Sequence, residues 1–154
     1  MNETMASQQP SLNIERLYLK DLSLEIPHAP DVFLESAAPQ IELQLHSQAT
    51  PLEEGLFEAT ITITVTAKFA EQDKVMFLIE AKQAGIFRVR NMLQEDMGPI
   101  VGVACPNILF PYLREVVSDM AVRAGFAPVM LDPINFEALY QQQHKAEAVP
   151  ATKH

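Results

Sequence analysis

His28 and Asp31 stand three residues apart in the segment IPHAPDVFLESAAP and have the residue types of a general acid and base. Such a pair does chemistry only when a nucleophile or a metal ligand converges on it, and nothing nearby in the sequence supplies one, so both read as exposed loop residues. Cys105 precedes a helix start, where a thiol can be acidified. A buried, inert thiol is the expected outcome, because free cysteine is among the most buried residue types. Gly98 and Gly102 in GPIVG have small-residue spacing, but without the flanking strand and lysine of a phosphate loop the segment reads as an ordinary loop. The chain has no G-x-S-x-G and no H-E-x-x-H. His46 falls on the polar side of a strand, and His144 and His154 lie near the C-terminus. These residues predict no catalytic centre, no metal site and no cofactor.

What remains is surface chemistry. Asp21, Ser23 and Glu25 alternate on one face of a strand, a pattern that suits a solvated face or a docking site for a basic partner. Charge favours the second. Residues 1–60 carry 10 acids against Arg16 and Lys20 alone, a local charge of −8, whereas residues 61–154 carry −1. The formal total of −9 repels phosphate backbones and anionic bilayers, so neither nucleic acid nor membrane insertion is expected. A lone cysteine makes no internal disulfide, the start MNETMASQQPS has no apolar run of a signal peptide, and no window approaches a membrane span. A reducing cytoplasm is the expected compartment.

These residues need a scaffold. At 154 residues and 48% hydrophobic, the chain suits one domain with a core, expected over residues 12–145 between mobile tails at 1–11 and 146–154. Phe57, Ala59, Ile61, Ile63, Val65, Ala67 and Phe69 alternate with polar residues and define a strand. Ile41, Leu43 and Leu45 define another, with SQATPLEEG as the hairpin loop between them. In residues 12–26 the parity of the aliphatic residues changes after Leu19, which predicts a bulge or a covered outer face. Residues 75–79 are apolar on both parities and predict burial on both sides. The segment with Pro27, Pro30 and Pro39 reads as a long extended connection. One helix is predicted from Pro106 to a stop at Gly125, with Leu109, Tyr112, Leu113, Val116, Val117, Met120 and Ala124 as its apolar stripe. A second is predicted over residues 133–145, capped by Asp132, with Phe136, Leu139 and Tyr140 on one side. Four strands followed by two helices make an α+β fold.

The run CPNILFPYLREVVSDMAVRAGFAPVMLDPINFEALYQQQ from Cys105, the run YLKDLSLEIPHAPDVF from Tyr18 and AGIF at residues 84–87 closely resemble the SecB family of bacterial protein-export chaperones. The resemblance covers about residues 12–143. It implies a four-stranded antiparallel sheet with a long crossover connection plus two C-terminal helices, assembled as a dimer of dimers. It also implies an ATP-independent holdase that keeps preproteins unfolded in the cytoplasm and passes them to the SecA motor ATPase. On the family pattern the SecA-docking positions are Asp21, Glu25, Leu78 and Glu80, and the client groove takes in Phe33, Phe136 and Tyr140. One departure concerns that groove: relatives often carry a tryptophan near Ser36-Ala37-Ala38, and this chain has none. Two other readings stay open at this point, a SecB-like chaperone dedicated to one client such as an antitoxin, and a small α+β enzyme using His28 and Asp31.

Overall fold

The computed structural model describes the backbone of residues 9–148 and the side chains of residues 9–144. Four antiparallel strands, β1 (Ser11–Glu25), β2 (Pro39–Glu53), β3 (Leu56–Phe69) and β4 (Lys74–Arg90), form one sheet in the order β1-β4-β3-β2. The crossover from β1 to β2 therefore spans the whole sheet, and both become edge strands. The predicted α+β architecture within one chain holds. The connection between β1 and β2, expected to be extended, is instead mostly turn: residues 27–30, with Pro27 and Pro30, form a turn that leads into a 3-10 turn at Asp31–Leu34, whose Val32 plugs into the core, and residues 35–38 then run without regular structure into β2.

The parity change in β1 has a clear cause. Register shifts fall between Ile14 and Arg16 and between Leu19 and Asp21, so Glu15 and Lys20 are extra residues. Leu12, Ile14, Leu17, Leu19, Leu22 and Leu24 then pair with Val89, Phe87, Gly85, Gln83, Ala81 and Ile79, every second residue of β4. Two bulges thus convert a 2-3-2-3-2 spacing into one continuous apolar face. That inner face includes the buried alternate residues of β3, from Phe57 to Phe69, as the alternation predicts. Residues 75–79 are buried on both parities in part because a third shift, opposite Ala67 and Lys68, turns both Met76 and Phe77 inward.

Three boundaries differ from the sequence reading. The segment predicted as the hairpin loop is mostly strand: β2 runs to Glu53, and Leu52 is skipped in the register beside Pro51, which an edge strand tolerates. The first helix begins well before Pro106. A short helix α1 (Gln94–Pro99) passes through a π turn (Ile100–Ala104) into α2 (Cys105–Arg123), so GPIVG is helical and not a loop. Proline at 106 has no N–H to donate and its ring crowds the turn before it, and the helix widens just there. The stop is as predicted. Gly125 has φ +93°, and the bonds from Phe126 N to the Ala121 carbonyl and from Gly125 N to the Val122 carbonyl close a Schellman cap. Finally, Asp132 is not the second helix's cap. Asn135 Oδ1 accepts from Ala138 N at 3.0 Å, and α3 runs over Phe136–Ala148.

Tail residues 1–8 and 149–154 lie outside the described residues; the strand already begins at Ser11 and α3 extends beyond residue 145. The continuous helical run Gln94–Arg123 has a window of mean hydropathy 1.3 and is, by length and composition, apolar enough to cross a membrane, which corrects the expectation that no window comes close. Its fold position gives that character another use. Cys105, Leu109, Leu113, Val117 and Ala121 are buried in the core formed with the inner sheet face. Tyr112, expected in that stripe, flanks it instead, and Tyr112 and Val122 are about half exposed.

Candidate functional site

The two bulges decide what the outer sheet face presents. Downstream of Lys20, Asp21, Ser23 and Glu25 point outward and pair with Lys82, Glu80 and Leu78 of β4. The same register continues across Thr62, Thr64 and Thr66 of β3 to His46, Gln44 and Glu42 of β2. Asp21, Glu25, Leu78 and Glu80, separated by more than 50 positions in sequence, thus occupy one patch two strands wide. With strands about 4.8 Å apart and alternate residues about 7 Å apart, it measures roughly 5 by 14 Å. Asp21, Glu25 and Glu80 are exposed.

Of the two basic neighbours of this patch, Lys82 stands opposite Asp21 in the register and Lys20 is drawn elsewhere. Its Nζ lies 2.8 and 3.0 Å from the two carboxylate oxygens of Glu58 on β3, which also accepts a hydrogen bond from the Tyr18 hydroxyl. Burial would push the Glu58 carboxyl up, but the hydrogen bonds from Lys20 and Tyr18 and the charges of Lys20 and Lys82 outweigh it and hold it below the usual carboxylate range. Burial and the Glu58 carboxylate push Tyr18 up to about 12. The cluster ties β1 to β3 across Ala84 of β4, which is fully buried although it faces outward.

The inner face carries a different surface along β2. Going down that strand, Ile41 and Leu43, then Leu45 and Ser47, then Ala49 and Pro51 line successive depressions. Near the start of the strand a cavity of about 590 Å³ is lined by Phe33, Phe126 and Ile41, and a second of about 330 Å³ sits over Phe110. Ile41, Val129 and Met130 belong to both. Phe33 is 48% exposed and stacks on Phe126 at 5.2 Å, and Phe126 meets the buried Phe77 at 4.8 Å, so three rings lead from solvent to core.

The other two predicted groove residues sit differently. Phe136 is only 5% exposed, edge-on to Phe110 at 5.7 Å, and contributes mainly to the core. Tyr140 is half-buried, lines the depression beside Leu45 and lies directly against the backbone of Gly98 and Gly102, where a Cβ would run into its ring. Gly102→Leu is expected to force Tyr140 off α1 and the π turn and to lower stability by about 1–3 kcal/mol, read by chemical denaturation. Sequence reasoning missed Ile41, Leu43 and Met130 as groove walls. Their exposures of 37%, 48% and 70% mark residues left uncovered by the chain that carries them.

His28 and Asp31 are both exposed in the connection, and among the described residues no group of three or more His, Cys, Asp or Glu is placed to hold a metal. Cys105 is fully buried, and burial pushes its thiol up to about 12, so it is protonated at neutral pH, as expected.

A twisted sheet backed by one long helix, with an acid patch on one face and an apolar trough along the edge of the other, defines a macromolecule-binding module. A model of the family "Preprotein translocase subunit SecB" matches residues 5–147. A protein-export protein SecB of Nitrosomonas eutropha is 58% identical over 95% of this chain and 91% of its own length. One of Chromobacterium violaceum is 60% identical over 91% of this chain and 92% of its own. Among solved structures, a SecB-like chaperone of Mycobacterium tuberculosis in complex with a ChAD peptide from an antitoxin superimposes with a TM-score of 0.67 at 16% identity, covering 80% of this chain and 90% of that one, a likeness of fold. The chain belongs to the SecB family of protein-export chaperones.

Proposed function

We propose that this chain is an ATP-independent holdase that keeps preproteins unfolded in the cytoplasm and hands them to the SecA motor, working as a homotetramer built as a dimer of dimers. The observation that carries the holding role is the apolar trough along β2. A holdase must accept many sequences, so it needs apolar contact and an accessible backbone edge more than a fixed set of polar partners. An exposed edge strand bordered by Ile41, Leu43, Phe33 and Met130 provides both. In this reading Phe33 and Tyr140 form walls, and Phe136 supports the floor.

Each Leu- or Phe-sized client side chain buried there contributes roughly 1.5–3 kcal/mol. Ordering the client costs a few kcal/mol, so a single trough binds weakly. Several troughs on one oligomer engaging one long chain raise avidity by about 10² to 10⁴. Oligomerisation is supported by apolar surface that one protomer leaves bare: Ile14 and Leu19 on the inner face of edge strand β1 are 49% and 41% exposed, and Tyr112 and Val122 stand out from α2. SecA docking is assigned to Asp21, Glu25, Leu78 and Glu80 because the fold gathers them on one exposed acidic patch that suits a basic segment. The two named relatives, at 58% and 60% identity, are export proteins, which favours this reading over a dedicated antitoxin chaperone.

An aggregation-suppression assay with an unfolded preprotein, run with and without SecA, tests the proposal. Suppression at stoichiometric tetramer and release on adding SecA with ATP are expected. No suppression, or a stable monomer by light scattering at micromolar concentration, would overturn it.

A further inference from the structure

Residues 127–134, APVMLDPI, cross from the end of α2 to the cap of α3 without regular structure. This strap is one wall of both cavities beside the start of β2. Two prolines remove its donors at 128 and 133, and a chain that long without a ladder should be loose. Its apolar anchors are Leu131, 4% exposed, and the half-buried Val129 and Ile134. Among the described residues, the one hydrogen bond from outside the strap to its backbone comes from Arg114 of α2, whose Nε donates to the Leu131 carbonyl at 2.8 Å.

The guanidinium that makes this bond also lies over the Phe110 ring, 5.1 Å from its centroid. Phe110 and Leu131 are both walls of the 330 Å³ cavity. One planar group therefore sets the height of the strap above α2, held from beneath by an aromatic face and pointing its N–H at the strap. The next residue toward the N-terminus, Met130, projects into the trough at the place where the two cavities meet.

We propose that Arg114 is a positioning residue for the client trough: it fixes the strap so that Met130 divides the trough into two compartments of set separation, matched to an extended client with two apolar segments. This rests on the holdase reading of the trough. Arg114 does not touch the client itself, and its effect is on spacing. A methionine thioether at the divide, unbranched and polarizable, can repack around either neighbour, which lets the separation be fixed while the side chains accepted stay varied.

Two substitutions separate the hydrogen bond from bulk. Arg114→Met keeps the apolar stem and loses the donor, and Arg114→Gln keeps a planar N–H donor and loses the charge. Amide hydrogen exchange over residues 129–134 of the full chain reads the strap directly. Fluorescence anisotropy reads capture of two peptides, one with two apolar segments and one with a single segment. For Arg114→Met the strap amides should exchange at least tenfold faster, the two-segment peptide should bind about tenfold more weakly, and the one-segment peptide should change less than twofold. Arg114→Gln should recover most of both losses. Unchanged strap exchange in Arg114→Met, equal losses for the two peptides, or no recovery with Gln would overturn the assignment. Failure of the wild-type chain to bind either peptide would instead sink the holdase reading, while the exchange result would still report on the strap.

Discussion

Asp21→Lys combined with Glu25→Lys is expected to weaken SecA binding about 100-fold while the holding of unfolded preprotein persists. Both carboxylates are exposed on the outer face, so the exchange leaves the core untouched, and isolated surface substitutions of this kind cost within about 0.5 kcal/mol of stability. The effect comes from the field. Two reversals change the patch by four charge units beside Glu80, and a basic partner segment then meets like charge, a cost of several kcal/mol when the groups come together. Lys20 is already bound to Glu58, which leaves Lys82, opposite Asp21, as the cation beside three acids in the native chain. Titration calorimetry at two salt concentrations checks this, with the native affinity falling as salt rises. Unchanged SecA affinity would remove the patch from the mechanism, and parallel loss of preprotein holding would point to misfolding.

The second large effect concerns Phe136, where sequence and structure give different expectations. As an open groove residue, Phe136→Ala would lower client capture alone. Buried to 5% and packed edge-on against Phe110, it should instead cost about 3–5 kcal/mol of stability and lower the melting temperature by roughly 10 °C. Phe33→Ala is the contrasting control: half exposed on a ring stack, it should lower client affinity with a much smaller thermal shift. Calorimetric scans beside peptide binding separate the two. A Phe136→Ala chain that melts like the native one but captures clients poorly would restore the groove role.

The difference between these two phenylalanines shows what one chain's sequence encodes legibly. Strand β3 could be read residue by residue because, from Phe57 on, its apolar side chains all answer to one sheet face. The change in β1 was visible as a parity break, although its resolution into two bulges needs the β4 register. The acidic patch proposed for docking was half legible: Asp21 and Glu25 alternate, but Leu78 and Glu80 join them only through strand pairing. The helical course of residues 94–104 was hidden by Gly98, Pro99 and Gly102, which read locally as loop signals, whereas in the fold the two glycines give Tyr140 room to lie against the helix. Arg114 and Met130 lie within the run that carries the family resemblance, but no spacing marked them, since the places they take depend on the path of a strap that has no periodicity.

The extra residues in β1 have an effect on how copies of the chain can gather. Without them the six aliphatic side chains would still alternate, on a flatter border strand of the kind that templates unlimited stacking. Each interruption instead sharpens the local twist and places a charged residue, Glu15 or Lys20, in the ribbon. A protein whose work brings it continually against unfolded chains thereby keeps its own border from seeding fibres.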